Sequence, residues 1–255
     1  MSIQSDTWTA QFTDETGKIR RVSTKPILCN VKITASKKHG AVLHATDGES
    51  ATNGRQLAVQ EFNGKCVMKH KTETAIVPLR TLQILERVLS DKSVDNDDVK
   101  MAVTDNKMVL FQYKHITLVS RLLDGQFPQW RNIVPKTEGE TPAKIECGAL
   151  LQAVLKAQVV TNNEEPGIDF LFAKGKLTLQ GQDKGMGESN VVLPIVFHDD
   201  VAKQVRLNAK FMTDFLRVLR PERQLSIYVF DADEPVKIVA DDGGYTYVVA
   251  PMAAE

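Results

Sequence analysis

The 255 residues carry 32 Lys+Arg against 32 Asp+Glu, a formal net charge of +0 with five histidines neutral. No long-range field exists to collect phosphates, so a uniformly basic coat for nucleic acid or anionic membrane is excluded, though one basic face balanced by an acidic one is not. A hydrophobic content of 42% with 25% charge is globular, and the length allows one large domain or two ordinary ones.

In chain order, the start MSIQSDTWTA lacks the basic and apolar regions of a signal peptide. Trp8, Phe12, Ile19 and Val22 follow an i, i+4, i+11, i+14 rhythm, which predicts a helix within residues 8–24 that Gly17 and the polar TDET weaken. Strands are predicted at ILCNVKIT, GAVLHATD and RQLAVQEF. Ile76-Val77-Pro78 then leads into LRTLQILERVL, a helix with Leu79, Leu82, Ile84, Leu85, Val88 and Leu89 on its apolar side and Pro78 in its first turn. The polar SDKSVDNDD breaks that pattern. DVKMAVT, KMVLFQY and HITLVSRLL follow as an antiparallel meander.

The order then repeats, shifted by about one domain length. CGALLQAVLKAQVV is an amphipathic helix, and GIDFLFA, KLTLQGQ and NVVLPIVF are strands. Val205-Arg206-Leu207 leads to a helix over NAKFMTDFLRVL with Asn208 as its N-cap. QLSIYVF, VKIVAD and YTYVVAPM form a second meander, and PKTEGETPAK links the copies. The chain therefore reads as two α+β domains, 1–135 and 136–255, each with two helices packed on antiparallel sheets.

Little of the sequence points to catalysis. Cys29, Cys66 and Cys147 have no CxxC or zinc spacing and read as thiols of a reducing compartment, which predicts a cytoplasmic protein. No stretch approaches the roughly 18 apolar residues of a membrane span. Asp95, Asp97 and Asp98, then Asp231, Asp233 and Glu234, and the pair Asp241-Asp242, sit where strands meet turns and do not follow calcium-loop spacing. His39, His44, His70, His115 and His198 are scattered, without metal-ligand partners. GQDKGMGESN is glycine-rich but opens no helix, so it reads as a long, mobile hairpin loop rather than a phosphate cradle. No enzyme, metal or cofactor is expected. The segment LLDGQFPQWRNIVP is unusually apolar for a connector: Phe127, Pro128, Trp130 and Ile133 either pack locally or line a groove.

Three islands resemble a family. LLDGQFPQWRNIVP is similar to the inter-domain K/R-L-x-D-G-x-F-P-x-Y-R-x-v-x-P run of the bacterial sliding clamp, the beta subunit of the replicative DNA polymerase III. ATNGRQLA resembles its A-T-D-G-H-R-L-A, and YTYVVAPM its closing Y-V-x-M-P-M. The resemblance covers about residues 26–252, and the two copies look like the family's second and third domains. It implies a ring of repeated domains, sheets outside and helices inside, encircling duplex DNA as a processivity factor. By domain count three copies would close a six-domain ring. A clamp-like adaptor that binds peptides without forming a ring is the alternative.

The resemblance also implies two sites. Basic residues expected on polar helix sides, facing phosphates without sequence preference, are Lys18, Arg20, Arg21, Arg80, Lys156, Lys210 and Arg217. A peptide pocket for polymerase and clamp loader would comprise Thr52, Gly54, Arg55, Leu57, Pro128, Ile133, Asn208, Phe211, Val248, Pro251 and Met252, with Leu28 and Pro235 as weaker members. Core packing is the competing reading for Leu57 and Val248. The chain departs from the family pattern at Asn53, Arg55-Gln56, Trp130, Asn132, Ala250 and the tail Ala253-Ala254-Glu255, which puts the pocket's peptide preference in question.

Overall fold

A computed structural model describes residues 9–13, 19–23, 30–36, 40–46, 55–62, 72–89, 99–104, 107–125, 127, 129–161, 166–183, 185, 187–241 and 244–252. The chain divides into two compact units. Unit 1 is Gln129–Glu255 together with Ser50–Val59, and unit 2 is Ser2–Glu49 together with Gln60–Pro128.

Unit 2 holds β1 (Thr9–Thr13), β2 (Ile19–Ser23), β3 (Asn30–Ser36), β4 (Gly40–Thr46), the last residues of β5 (Gln56–Phe62), β6 (Thr72–Pro78), α1 (Leu79–Leu89), β7 (Lys100–Val103), β8 (Met108–Tyr113) and β9 (Ile116–Arg121). Antiparallel pairing runs β4-β3-β6 in one sheet and β7-β8-β9 in another. The β8–β9 turn places Lys114 at a φ of 50°, a left-handed conformation that an unbranched side chain tolerates at a tight hairpin.

The helix expected within residues 8–24 is not there. Thr9–Thr13 and Ile19–Ser23 form an antiparallel hairpin, with Phe12 opposite Arg20 and Ala10 opposite Val22. The apolar rhythm was sparse enough to be read at either period, and β-branched Thr9, Thr13, Ile19 and Val22 with Gly17 between them favour strands and a turn. Trp8 lies outside the described residues. Unit 2 thus has one helix, α1, among the described residues. On it Ile84 is 41% exposed rather than facing the core, and Thr81 is buried instead, its hydroxyl 2.7 Å from that of Ser120.

Unit 1 contains β10 (Ala143–Glu146), α2 (Cys147–Ala157), β11 (Gly167–Ala173), β12 (Lys176–Asp183), β13 (Gly187–Pro194), β14 (Lys203–Asn208), α3 (Ala209–Arg217), β15 (Gln224–Tyr228), β16 (Val236–Ala240) and β17 (Tyr245–Val249). One sheet is ordered β13-β12-β11-β14, and the other runs β10-β15-β16-β17-β5. Strands β11 and β12 alternate buried with exposed or half-buried positions, as strands with one face on a core must. Helix α2 buries Cys147, Leu150, Ala153, Val154 and Ala157, a stripe at helical spacing. Helix α3 buries Met212, Phe215 and Leu216, and the two helices touch, with the Thr213 hydroxyl donating to Gln158 Oε1 at 3.2 Å. Phe215 stacks on Tyr247 at 4.3 Å between near-parallel rings.

Two segments of unit 1 depart from expectation or give it detail. Residues 181–190 do not form a long loop: β12 and β13 stay paired as far as Asp183 opposite Gly187, whose φ of 107° suits glycine. The expected linker is tied down at Glu140, which accepts from Lys203 Nζ at 2.8 Å, while the same ammonium lies 3.6 Å from Asp199 and donates to the Val229 carbonyl.

Candidate functional site

Several of the expected pocket residues converge in unit 1, at the start of β5, the start of α3 and the end of β17. Asn208 caps α3 as its sequence position predicts: Oδ1 accepts from the amides of Lys210 at 2.9 Å and Phe211 at 3.2 Å. The amide of Ala250 donates to the Arg55 carbonyl at 2.9 Å, and that of Met252 to the Arg206 carbonyl at 2.8 Å, so the segment after β17 is pinned on both sides. Phe211, Pro251 and Met252 are half-buried, with apolar surface still open, and Arg55 is exposed.

Leu57 and Val248 are 1% and 2% exposed, which places them in the core beneath these residues rather than on an open wall. Ile133 and Pro235 are half-buried. Thr52, Gly54, Pro128 and Leu28 lie outside the described residues. Asn132, where the family often has Arg, is exposed and donates to Gln129 Oε1.

Sequence reading missed the pair that joins these elements. The Tyr247 hydroxyl donates to buried Gln56 Oε1 at 2.8 Å and lies 3.4 Å from the Phe211 carbonyl. Gln56 stands in a position noted only as a departure from the family pattern. Arg206 is likewise outside the expected site residues: its guanidinium pairs with Asp169 at 3.0 Å, and its backbone carbonyl holds Met252.

The second set of candidates lies on the polar sides of the helices, α1 in unit 2 and α2 and α3 in unit 1. Arg80 on α1, Lys156 on α2, and Lys210 and Arg217 on α3 are all exposed. Lys210, Asp214 and Arg217 follow i, i+4, i+7 spacing and share one side of α3. Arg20 and Arg21, expected on a helix, instead occupy β2, where the interrupted pattern forms a strand. Lys18 lies outside the described residues. Arg87, not among the expected residues, is exposed in the last turn of α1. The three helices together carry five basic residues (Arg80, Arg87, Lys156, Lys210, Arg217) against two acidic ones (Glu86, Asp214), a surplus of three in a chain whose net charge is +0.

Other chemistry-bearing residues have structural places. His44 is buried on β4 near the Phe127 ring. Asp231 and Glu234 close a turn by a backbone hydrogen bond, and Asp241 Oδ2 accepts from the Gln224 amide. No group of three or more His, Cys, Asp or Glu side chains among the described residues could hold a metal ion. No described helix is long and apolar enough to cross a membrane.

Residues 18–129 match the family model of the DNA polymerase III beta subunit, central domain. The Beta sliding clamp of Synechocystis sp. (strain ATCC 27184 / PCC 6803 / Kazusa) is 26% identical over 219 residues, covering 80% of this chain and 54% of that protein. The Beta sliding clamp of Escherichia coli (strain K12) is 24% identical over 217 residues, covering 83% and 57%. The chain thus spans a little over half the length of these relatives. A crystal structure of the DNA polymerase III subunit beta from Pseudomonas aeruginosa superposes with a TM-score of 0.78 at 20% identity, over 91% of this chain and 60% of that one. One of a putative DNA polymerase III beta subunit from Eubacterium rectale gives 0.77 at 20%, over 91% and 59%. At these identities the structural likeness shows the fold, α+β with repeated clamp-type domains.

Proposed function

We propose that this chain, a relative of the bacterial beta sliding clamps, is a processivity factor that surrounds duplex DNA and tethers polymerase and other replication or repair proteins through short peptides. The observation that carries the reading is the concentration of positive charge on the helices: α1, α2 and α3 hold a surplus of three positive charges while the whole chain is neutral. Exposed Lys and Arg on helices meet phosphates irrespective of sequence, and release counterions when they do. Topological retention needs no tight contact, so neutrality elsewhere is no obstacle. Three copies, with two repeat units each, close the ring.

Apolar surface at Phe211, Pro251 and Met252, bordered by Arg55 and capped by Asn208, suits a short peptide with Leu or Phe anchors. Binding there and at the helices requires no catalytic step and no cofactor.

The test is retention on circular DNA and polymerase processivity, compared between the wild type and the Arg80→Glu, Lys156→Glu, Arg217→Glu triple variant. The variant is expected to lose retention, with the log–log salt slope falling by about one for each phosphate contact removed. Unchanged slope and unchanged processivity would remove these helices from the DNA interface.

A further inference from the structure

Strand β14 anchors two of the residues on which the proposed peptide surface rests. Its Asn208 caps α3, whose first turn bears Phe211, and its Arg206 carbonyl accepts from the amide of Met252. Asn208 and Arg206 are two positions apart on the strand, so their side chains leave the same face of the sheet. On that face two residues of β11 hold the Arg206 guanidinium. Asp169, directly opposite Arg206 in the register, accepts from Nη1 at 3.0 Å. Gly167, opposite Asn208, leaves room for the side chain: a Cβ there would lie 2.5 Å from Nε and 3.2 Å from Nη2.

A plain cross-strand ion pair needs only the first of these contacts. A guanidinium has five N–H donors in a planar fork, and among the described residues Asp169 is the one acceptor that this fork meets. The Arg206 side chain is 18% exposed, so it is held in place before any ligand arrives and still reaches solvent. The other cations of this surface differ. Arg55 and Lys210 are exposed, and an ion pair there must order a long side chain in water, which leaves little net gain. A fork that is already seated loses less freedom for each hydrogen bond it forms.

We propose that Arg206 recognises a carboxylate side chain on the peptide that docks at Phe211, Pro251 and Met252, so that the partner peptide is acidic as well as apolar. The spare N–H groups of the guanidinium donate to that carboxylate in charge-assisted hydrogen bonds. Arg206 is the binding residue, while Asp169 orients its fork and Gly167 seats it. The inference rests on the peptide site in the proposed function and not on the DNA contacts.

Anisotropy titrations with fluorescein-labelled peptides test it. Each peptide carries Leu and Phe anchors, and each flanking position is set in turn to Asp or Asn. The proteins compared are the full-length wild type, Asp169→Asn, and Arg206→Gln combined with Asp169→Asn, which leaves no charge alone on the sheet. The backbone carbonyl that holds Met252 survives in all three, and circular dichroism checks that each is folded. In the wild type, Asp at one flanking position is expected to bind about fivefold tighter than Asn. Asp169→Asn should keep or widen that preference, since it removes a competing negative charge and retains an acceptor. The double variant should lose the preference and bind the Asn peptide within about twofold of the wild type, as the apolar anchors are untouched. No preference at any position in the wild type, its loss in Asp169→Asn, or its survival in the double variant would overturn the carboxylate contact and leave the apolar pocket standing. A wild type that binds none of the peptides would sink the pocket reading as well.

Discussion

Cys147 is buried at the start of α2, its thiol 3.5 Å from the Leu216 carbonyl, and burial pushes its pKa from 9.0 up to about 11. A thiol ionises more easily in the unfolded chain, so the fold binds the extra proton between those values and loses stability as pH rises through them. Unfolding midpoints in urea should therefore fall between pH 9 and 11, and Cys147→Ala should flatten that part of the profile; an unchanged slope would remove Cys147 as its source. At the same scale, Phe211 and Met252 are two of the pocket candidates with apolar surface left to offer. Their replacement by Ala should weaken a fluorescent clamp-binding peptide about tenfold or more in anisotropy titrations, as loss of two anchors does. Equal affinity would move the peptide site elsewhere. Asn208 was legible because a cap is a local device, an Asn just before an apolar helical stripe. The Gln56–Tyr247 bond was not, because its partners are 191 residues apart and each alone is an unremarkable polar side chain.

Among elements, the β12–β13 hairpin is held against α2 by a close approach. Ser189 Oγ donates to the Ala157 carbonyl at 2.7 Å, and a Cβ on Gly181 would fall 2.5 Å from that same oxygen. Gly181→Ala should cost about 1–3 kcal/mol in chemical denaturation, the usual cost of overpacking a fixed contact. A neutral effect would mean that the strand can shift away from the helix. The glycine was visible in the sequence, but it read as part of a loop because the carbonyl that requires it belongs to another element. Helices α1, α2 and α3 were legible from strong apolar periodicity, and both meanders from alternating runs closed by turn residues. Residues 9–23 failed for the converse reason: four apolar positions in fifteen specify neither period, and cross-strand pairing decides.

For the whole molecule, the repeat was the strongest sequence signal, since two weak patterns in the same order support each other. Net charge was the least informative number until it was divided by element. The surplus of three on the helices leaves an equal deficit over the rest of the chain. On the proposed clamp reading, acidic surface away from the helices discourages adhesion to other DNA.

One feature of unit 1 bears on how the chain is made. Its sheet takes residues 56–59 from far upstream, next to β17. During synthesis those residues leave the ribosome early and wait until nearly 190 more have emerged before their neighbour exists. Closing so long a segment carries an entropic cost that grows with the logarithm of its length, and contacts of such high sequence separation slow folding. Through the interval, the apolar run Leu57-Ala58-Val59 has no partner from β17 to cover it, and such transiently exposed apolar chain is what invites association before folding is complete.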